Sequence, residues 1–320
     1  MNYKTFGRTG WQVSDIGYGM WGMAGWTGSD DEESLASLQR AVDLGCNFFD
    51  TAWNYGAGHS ERLLGQLLKQ NPDKKLYVAT KIPPKNFGYP ARPEYTLDDT
   101  FPPEHIEEYL YKSLENLGVS SVDLIQLHTW NDHWLEDDRW LKKLQELREQ
   151  KLFSAVGISL NRWQPWNGLK AVLSGVVDSV QVVYNIFDQN PEDELFPACR
   201  ENNVAVIARV PFDEGSLTGV LTKDTTFPEG DWRNTYFAPE NLIPTVERVE
   251  KLKEILPEGM TLPEMALRFI ISNETVSTTI PGMRRVRHVE ENIAASDKGK
   301  LSDELLEELK NHRWVRTLKL

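Results

Sequence analysis

The chain has 320 residues, 40% hydrophobic and 26% charged, enough apolar material for a large core that needs no disulfides. Its 35 basic and 48 acidic side chains leave a net charge of -13, which argues against general nucleic-acid binding because phosphate backbones call for a positive surface. No stretch approaches the roughly 20 apolar residues of a membrane span, residues 1–4 carry no signal-peptide core, and Cys46 and Cys199 lack metal-ligand spacing. A reducing compartment, the cytoplasm, is expected.

In chain order, residues 3–6 and 11–13 flank Gly7-Arg8-Thr9-Gly10 and read as a hairpin. A short strand over 15–21 ends in glycines. At 29–33, Ser-Asp-Asp-Glu-Glu opens a helix, with a capping residue first and acids where the helix dipole favours them. That helix carries Leu35, Leu38 and Val42 on one face and stops at Gly45. The apolar run 46–50 ends in a carboxylate, and 59–68 is helical around Leu63, Leu64, Leu67 and Leu68. Further strands are predicted at 76–81, 122–128, 153–159, 179–183, 204–210 and 276–280, with helices near 103–117, 139–149, 165–173, 193–201 and 286–295. Eight short strands, most followed by a helix, imply a parallel sheet. Closing it into a (β/α)8 TIM barrel leaves no edge; a doubly wound open sheet is the rival, and it lacks a GxGxxG after the first strand. No linker or low-complexity tract divides the chain, so residues 1–320 read as one domain. Two long interruptions, 83–100 and 217–244, follow the third and seventh barrel strands and so belong to the C-terminal face, where barrel sites sit.

Polar residues at the ends of those strands are the candidates for chemistry. Asp50 ends the second barrel strand, with Tyr55 one turn later; Lys81 ends the third and His128 the fourth. Singly, each has an ordinary reading: a turn-forming aspartate, a packed tyrosine, a solvated lysine, a satisfied histidine. Together on one rim they suit carbonyl reduction, in which negative charge develops on an oxygen that then needs a proton. A phenol titrates near 10, a nearby ammonium lowers that value, a carboxylate holds the ammonium in place, and a histidine can orient the carbonyl.

In order and in local motif, Asp50, Tyr55, Lys81 and His128 resemble the catalytic tetrad of the aldo-keto reductases, and the similarity runs over nearly the whole chain. The resemblance implies a barrel whose floor is closed by the N-terminal β-hairpin. It implies an NAD(P)H-dependent oxidoreductase that reduces an aldehyde or ketone to an alcohol, or the reverse. Tyr55 would be the general acid/base, tuned by Lys81 and Asp50, with His128 orienting the carbonyl. The cofactor half agrees: Gly157-Ile158-Ser159 is similar to the family's Gly-Val-Ser, and Gln181 matches its glutamine, so Ser159 and Gln181 would meet the nicotinamide carboxamide. Gly19, Met20, Trp21 and Asp50 would border the same site. Arg209, Val210, Pro211, Phe212, Gly215, Leu217 and Gly219 resemble the loop that covers the pyrophosphate; Ile280, Gly282, Met283, Arg284 and His288 resemble the phosphate loop of the last strand. Glu291 and Asn292 match a Glu-Asn pair near adenine.

Two positions depart from the family pattern. Leu160 stands where an asparagine commonly follows the serine, so the carboxamide has one contact fewer or takes it from Asn161. Arg209 stands where many members stack an aromatic ring on nicotinamide; a guanidinium can stack but is repelled by the oxidised, positively charged ring. Arg284, Arg285 and His288 favour NADP(H), since a 2′-phosphate calls for a cation. NAD(H) is the alternative if Arg284, Arg285 and Arg287 are only the solvated start of a helix.

For the substrate, Met20, Trp21, Trp26, Trp53, Phe87, Tyr89, Trp130 and Trp232 lie in or near loops of the site face. A pocket of Trp21, Trp53, Tyr55, Phe87, His128, Trp130 and Trp232 would suit an aromatic or sugar-like carbonyl or alcohol, although loop packing accounts for part of the set. Two other readings stand beside the enzyme: a cofactor-binding regulatory subunit, and a carbohydrate-binding barrel without turnover. A metal-dependent barrel would need converging histidines and carboxylates; of six histidines only His128 ends a strand, and neither HxH nor HExxH occurs, so no metal is expected. Neither nucleic acid nor membrane is an expected partner, and the chain is compatible with a monomer or a homo-oligomer.

Overall fold

The computed structural model describes residues 1–24 and 28–314. Strands β1 (Tyr3–Phe6) and β2 (Trp11–Ser14) form an antiparallel hairpin in which Phe6 lies opposite Trp11. The other described strands form one parallel sheet in sequential order: β3 (Tyr18–Gly19), β4 (Phe48–Asp50), β5 (Tyr77–Ile82), β6 (Val122–Leu127), β7 (Phe153–Ser159), β8 (Ser179–Val183), β9 (Ala205–Arg209) and β10 (Val276–Thr279). Between and after them come α1 (Asp31–Asp43), α2 (His59–Gln70), α3 (Leu97–Thr100), α4 (Pro103–Leu117), α5 (Arg139–Glu149), α6 (Leu169–Ser174), α7 (Leu195–Glu201), α8 (Arg233–Tyr236), α9 (Pro239–Glu254), α10 (Leu262–Ser272), α11 (Val286–Lys298) and α12 (Asp303–Lys310).

The first and last strands of the sheet meet and close the barrel. The Gly17 N–H donates to the Thr279 carbonyl (2.8 Å), the Thr279 N–H to Asp15 (3.0 Å) and the Gly19 N–H to Pro281 (3.0 Å). A Cβ at Gly19 would stand 2.4 Å from the Ile280 carbonyl oxygen, so the seam closes only over a glycine. The strand predicted at 15–21 is reduced to two residues because the rest of the segment makes single bridges to 279–282 instead of a continuous ladder.

The hairpin seals the opposite end. Phe6 and Val13 join the inward-facing Phe48, Tyr77, Ala79, Leu124, Ala155 and Ile207 in one apolar cluster. Phe6 stacks on Phe48 at 5.4 Å and Trp11 on Tyr77 at 5.2 Å. The larger core fills the layer between strands and helices. Helix α1 starts one residue later than the sequence suggested, with Asp30 as the cap that accepts from the Glu33 N–H (2.8 Å).

The segment read as a loop over 217–244 is shorter than expected. It holds α8, and α9 begins at Pro239 despite an internal Pro244. Its prolines mark a loop by composition, yet a first-turn proline suits a helix start. Burial of Leu242, Val246, Val249 and Leu252 at helical spacing outweighs the lost bond at Pro244. Helix α10, also unpredicted, is buried over most of its surface and so shows no polar face to betray its period. Among the described residues no helix is long and apolar enough to cross a membrane. Cys46 and Cys199 are buried and unpaired.

If Phe6 is the keystone of the floor, Phe6→Ala should destabilise by about 3–5 kcal/mol, read as a lowered urea midpoint at unchanged slope. A loss under about 1 kcal/mol would show that the hairpin is not part of the barrel's cooperative core.

Candidate active site

Pleating alternates side chains between barrel interior and helix layer, and the register does the rest. Asp50 lies beside Ala79, Lys81 beside Gln126, Gln126 beside Gly157, and Ser159 beside Gln181. A Cβ at Gly157 would meet the Ser179 hydroxyl at 2.4 Å and the Gln126 side chain at 3.1 Å; the glycine makes the space Gln126 occupies. Lys81 has no solvent exposure. Its Nζ donates to Asp50 Oδ1 (2.5 Å), the Thr51 carbonyl (2.8 Å) and the Tyr55 hydroxyl (3.2 Å), which uses all the donors an ammonium has. Asp50 Oδ2 accepts from Gln126 Nε2 (3.0 Å) and Gln181 Nε2 (2.8 Å), and Gln181 Nε2 also donates to Gln126 Oε1 (3.1 Å).

Electrostatics set the protonation states. Burial alone would strip Lys81 of its proton, but Asp50 and then Tyr55 outweigh it and hold the ammonium above its ordinary value. Burial pushes the Tyr55 phenol up, and the opposing pull of Lys81 does not cancel it. The lowered phenol expected from a neighbouring ammonium is therefore not found: removing water from around the oxygen costs the phenolate more than one cation returns. Burial, then Lys81 and Arg209, keep His128 well below the usual histidine range, hence neutral. Its Nδ1 is 3.2 Å from the Tyr89 hydroxyl.

Asp50, Tyr55, Tyr89, His128 and Gln181 border a cavity of about 690 Å³, with Lys81 and Gln126 buried behind its lining. Of the predicted cofactor residues, Gly19, Met20, Trp21, Asp50, Ser159, Gln181, Arg209, Val210, Pro211, Phe212, Gly215, Ile280, Gly282, Met283, Arg284 and His288 line it. Leu217 and Asn292 are buried away from it. Gly219 lies outside its lining, and Glu291 accepts from Arg287 (2.7 Å) one helical turn back. Arg285 turns to Glu33 (3.6 Å). On the substrate side, Trp21, Tyr55, His128 and Trp232 line the cavity. Trp130 does not: it is fully buried against Trp134 and Trp140, its indole N–H satisfied by Asp132 (2.8 Å). Trp53 and Phe87 also stand outside the lining, grouped around Tyr109. Trp26 falls outside the described residues.

A nicotinamide fits the donor set. The Ser159 hydroxyl and the Gln181 carbonyl oxygen border the cavity with no hydrogen-bond partner among the described residues, a match for a primary amide. Asn161 is not available as a substitute contact. Its Oδ1 accepts from the Ala91 N–H (2.9 Å) and the Thr129 hydroxyl (3.1 Å), and its Nδ2 donates to the Ala91 carbonyl (2.9 Å) and Gln164 (3.0 Å). The strap after β9 is held in a strained form, with Val210, Asp213, Glu214 and Gly215 at φ 58°, 48°, 54° and 101°. Asp213 accepts from Tyr236 and from the Ser216 hydroxyl (2.5 Å), and Glu214 pairs with Arg162 (2.6 Å), whose guanidinium lies over Tyr236 at 4.7 Å. Arg209 Nη2 donates to the Leu160 carbonyl (2.9 Å); burial and then Arg162 pull its pKa down to about 10. Sequence reading missed Gln126, Arg162 and Glu214. Gln126 was within reach, since it sits two residues before His128 and shares the alternation that turns side chains inward; the Arg162–Glu214 pair joins loops 52 residues apart and left no local signal.

The sequence matches the profile described as "Aldo/keto reductase family" over residues 15–313. It is 32% identical over 307 residues to an aldo-keto reductase of Schizosaccharomyces pombe whose name gives NADP(+), covering 93% of this chain and 88% of that one. It is 28% identical over 303 residues to an NADH-specific methylglyoxal reductase of Escherichia coli, covering 90% and 91%. The holo form of an aldo-keto reductase from Bacillus halodurans shares the fold at TM-score 0.78 and 24% identity, over 100% of this chain and 98% of that one. With its closed parallel barrel, its hairpin floor and a match spanning nearly its whole length, the chain belongs to the aldo/keto reductase family, oxidoreductases that reduce carbonyl groups with a reduced nicotinamide cofactor.

Proposed function

We propose that this chain is a single-domain, cytoplasmic, NADP(H)-dependent carbonyl reductase in which Tyr55 is the general acid, Lys81 and Asp50 tune it and His128 orients the substrate. The observation that carries the reading is the unbroken run of hydrogen bonds from Asp50 through Lys81 to the Tyr55 hydroxyl, which ends at the wall of the cavity that His128 also lines. A reduced nicotinamide held there would supply hydride to the carbonyl carbon. The Tyr55 hydroxyl gives its proton to the carbonyl oxygen, Lys81 steadies the phenolate that results, and Asp50 keeps Lys81 charged. Neutral His128 donates a hydrogen bond to the same oxygen. Ser159 and Gln181 would hold the carboxamide, the strap from Val210 to Gly215 the pyrophosphate, and Arg284 with His288 a 2′-phosphate. Trp21, Tyr89 and Trp232 beside Asn54 and Arg162 make a mixed wall suited to aromatic or sugar-like carbonyls. The cytoplasmic location is supported by two buried, unpaired thiols.

Titration of NADPH and NADH by quenching of tryptophan fluorescence tests the cofactor. NADPH should bind more tightly, and Arg284→Ala should weaken it about tenfold or more while leaving NADH unchanged. Equal binding of the two nucleotides by wild type, or no binding of either, would sink the assignment.

Arg209 stays charged at neutral pH and has no carboxylate partner among the described residues. Wild type should therefore bind NADPH in preference to NADP(+), and Arg209→Tyr should narrow that ratio about tenfold. An unchanged ratio counts against a guanidinium beside the ring.

The phenol's raised pKa fixes the sign of the pH dependence. Reduction needs Tyr55 protonated, so its rate should be flat through neutrality and fall only on the alkaline side; alcohol oxidation needs the proton absent and should climb with pH. Lys81→Met removes the stronger of the two cations that oppose burial, Arg209 being the other, raises the phenol further and should lower kcat about 10²–10⁴-fold. A reduction rate that already falls between pH 6 and 8 (roughly the histidine range) would place the titration on another group.

A further inference from the structure

We propose that Tyr89 is a positioning residue for carbonyl reduction: its hydroxyl donates to His128 Nδ1 and so fixes the ring tautomer that presents Nε2–H to the substrate oxygen. This rests on the reading of His128 as the group that orients the carbonyl.

A neutral imidazole has one N–H and one bare nitrogen, and the hydrogen bond at one nitrogen decides the state of the other. A carbonyl oxygen only accepts, so the nitrogen facing it must carry the proton. The Tyr89 hydroxyl stands 3.2 Å from His128 Nδ1, with ring centroids 5.1 Å apart and planes at 69°. Nε2 has no hydrogen-bond partner among the described residues and is open to the cavity that His128 lines. A phenol, titrating near 10, keeps its proton at neutral pH and can give it to Nδ1. The other groups facing the ring cannot set the tautomer. Lys81 and Arg209 are cations with nothing to accept a proton. Tyr55 meets the ring edge-on at 5.7 Å, its hydroxyl engaged by Lys81.

Tyr89 is brought to this place by a buried clamp. Two residues on, the Ala91 N–H donates to Thr129 Oγ1 (3.0 Å) and Asn161 Oδ1 (2.9 Å), and the Ala91 carbonyl accepts from Asn161 Nδ2 (2.9 Å). Thr129 directly follows His128 in the chain. Imidazole and phenol are thus tethered to the same three-residue polar cluster. Tyr89 itself is 42% exposed, so its contact with His128 is not a by-product of core packing.

The test is nitrogen NMR of the full-length, cofactor-free, ¹⁵N-labelled protein at neutral pH, with the His128 signals assigned by their loss in His128→Gln. In wild type, Nε2 should be protonated and Nδ1 bare; in Tyr89→Phe, which keeps the ring and loses the hydroxyl, the two tautomers should mix. The same variant should lose kcat for carbonyl reduction in proportion to the Nε2–H form lost, about twofold for an even mixture, with NADPH affinity unchanged. Protonated Nδ1 in wild type, or an identical tautomer ratio in Tyr89→Phe, overturns the proposal. Because the tautomer is read without turnover, the expected spectra in a protein that reduces no carbonyl would refute the catalytic reading and leave this contact standing.

Discussion

An ammonium sealed from water must find an acceptor for each of its protons, and this requirement organises the open end of the barrel. Lys81 meets it with Asp50, the Thr51 carbonyl and Tyr55. Those partners exist only because β4 and β5 run side by side in one register, with the turn after β4 returning Tyr55 over the strand ends. The second carboxylate oxygen of Asp50 is held in turn by amides from β6 and β8. Four strands therefore share one polar network, and deleting a partner would leave a buried charge at a cost of about 3–5 kcal/mol. The arrangement is stable as a whole and intolerant of piecemeal change.

The barrel separates its tasks by height. At the floor, the hairpin's Phe6 and Val13 and the inward faces of β4 to β7 and β9 exclude water with aromatic and aliphatic side chains. At the top, the same alternation of side chains delivers Lys81, Gln126, Ser159 and Gln181. Although the chain carries a net charge of -13, the cavity wall gathers Arg162, Arg209, Arg233 and Arg284. Arg162 and Arg233 are paired with Glu214 and Asp231, whereas Arg209 donates to the Leu160 carbonyl. A guanidinium at a partly dry wall favours negative charge developing on a nearby oxygen. Burial, then Lys81 and Arg209, keep His128 neutral, so it acts as a donor and not as a charge.

The loops of the site face are not free appendages. The short segment after β7 holds two of them: Asn161 clamps the 83–100 loop through Ala91, and Arg162 grips the strap after β9 through Glu214. The strap's left-handed residues are kept in that form by the buried Asp213, bonded to Tyr236 of α8. Strain at the strap is thereby balanced by polar contacts made outside it.

Much of this was legible in the residues alone. Strand number, the hairpin, and Asp50, Tyr55, Lys81 and His128 as strand-end groups follow from local alternation, turn chemistry and chain order, which act over a few residues. What remained hidden depends on partners far apart in the chain. Trp130, read as a pocket wall, is core because Asp132 satisfies its indole and lets the ring turn inward. Asn161, a candidate cofactor contact, is taken up by Ala91, 70 residues away. The Tyr55 phenol, placed low by its neighbouring lysine, is driven up by burial, and burial is a property of the packed molecule. The sequence by itself determined which groups stand on the rim, because strand period and turn position are local; only the tertiary structure decided which of them face the cavity, which are already bonded and what charge they carry, because solvent exclusion and long-range hydrogen bonds exist only once the barrel has closed.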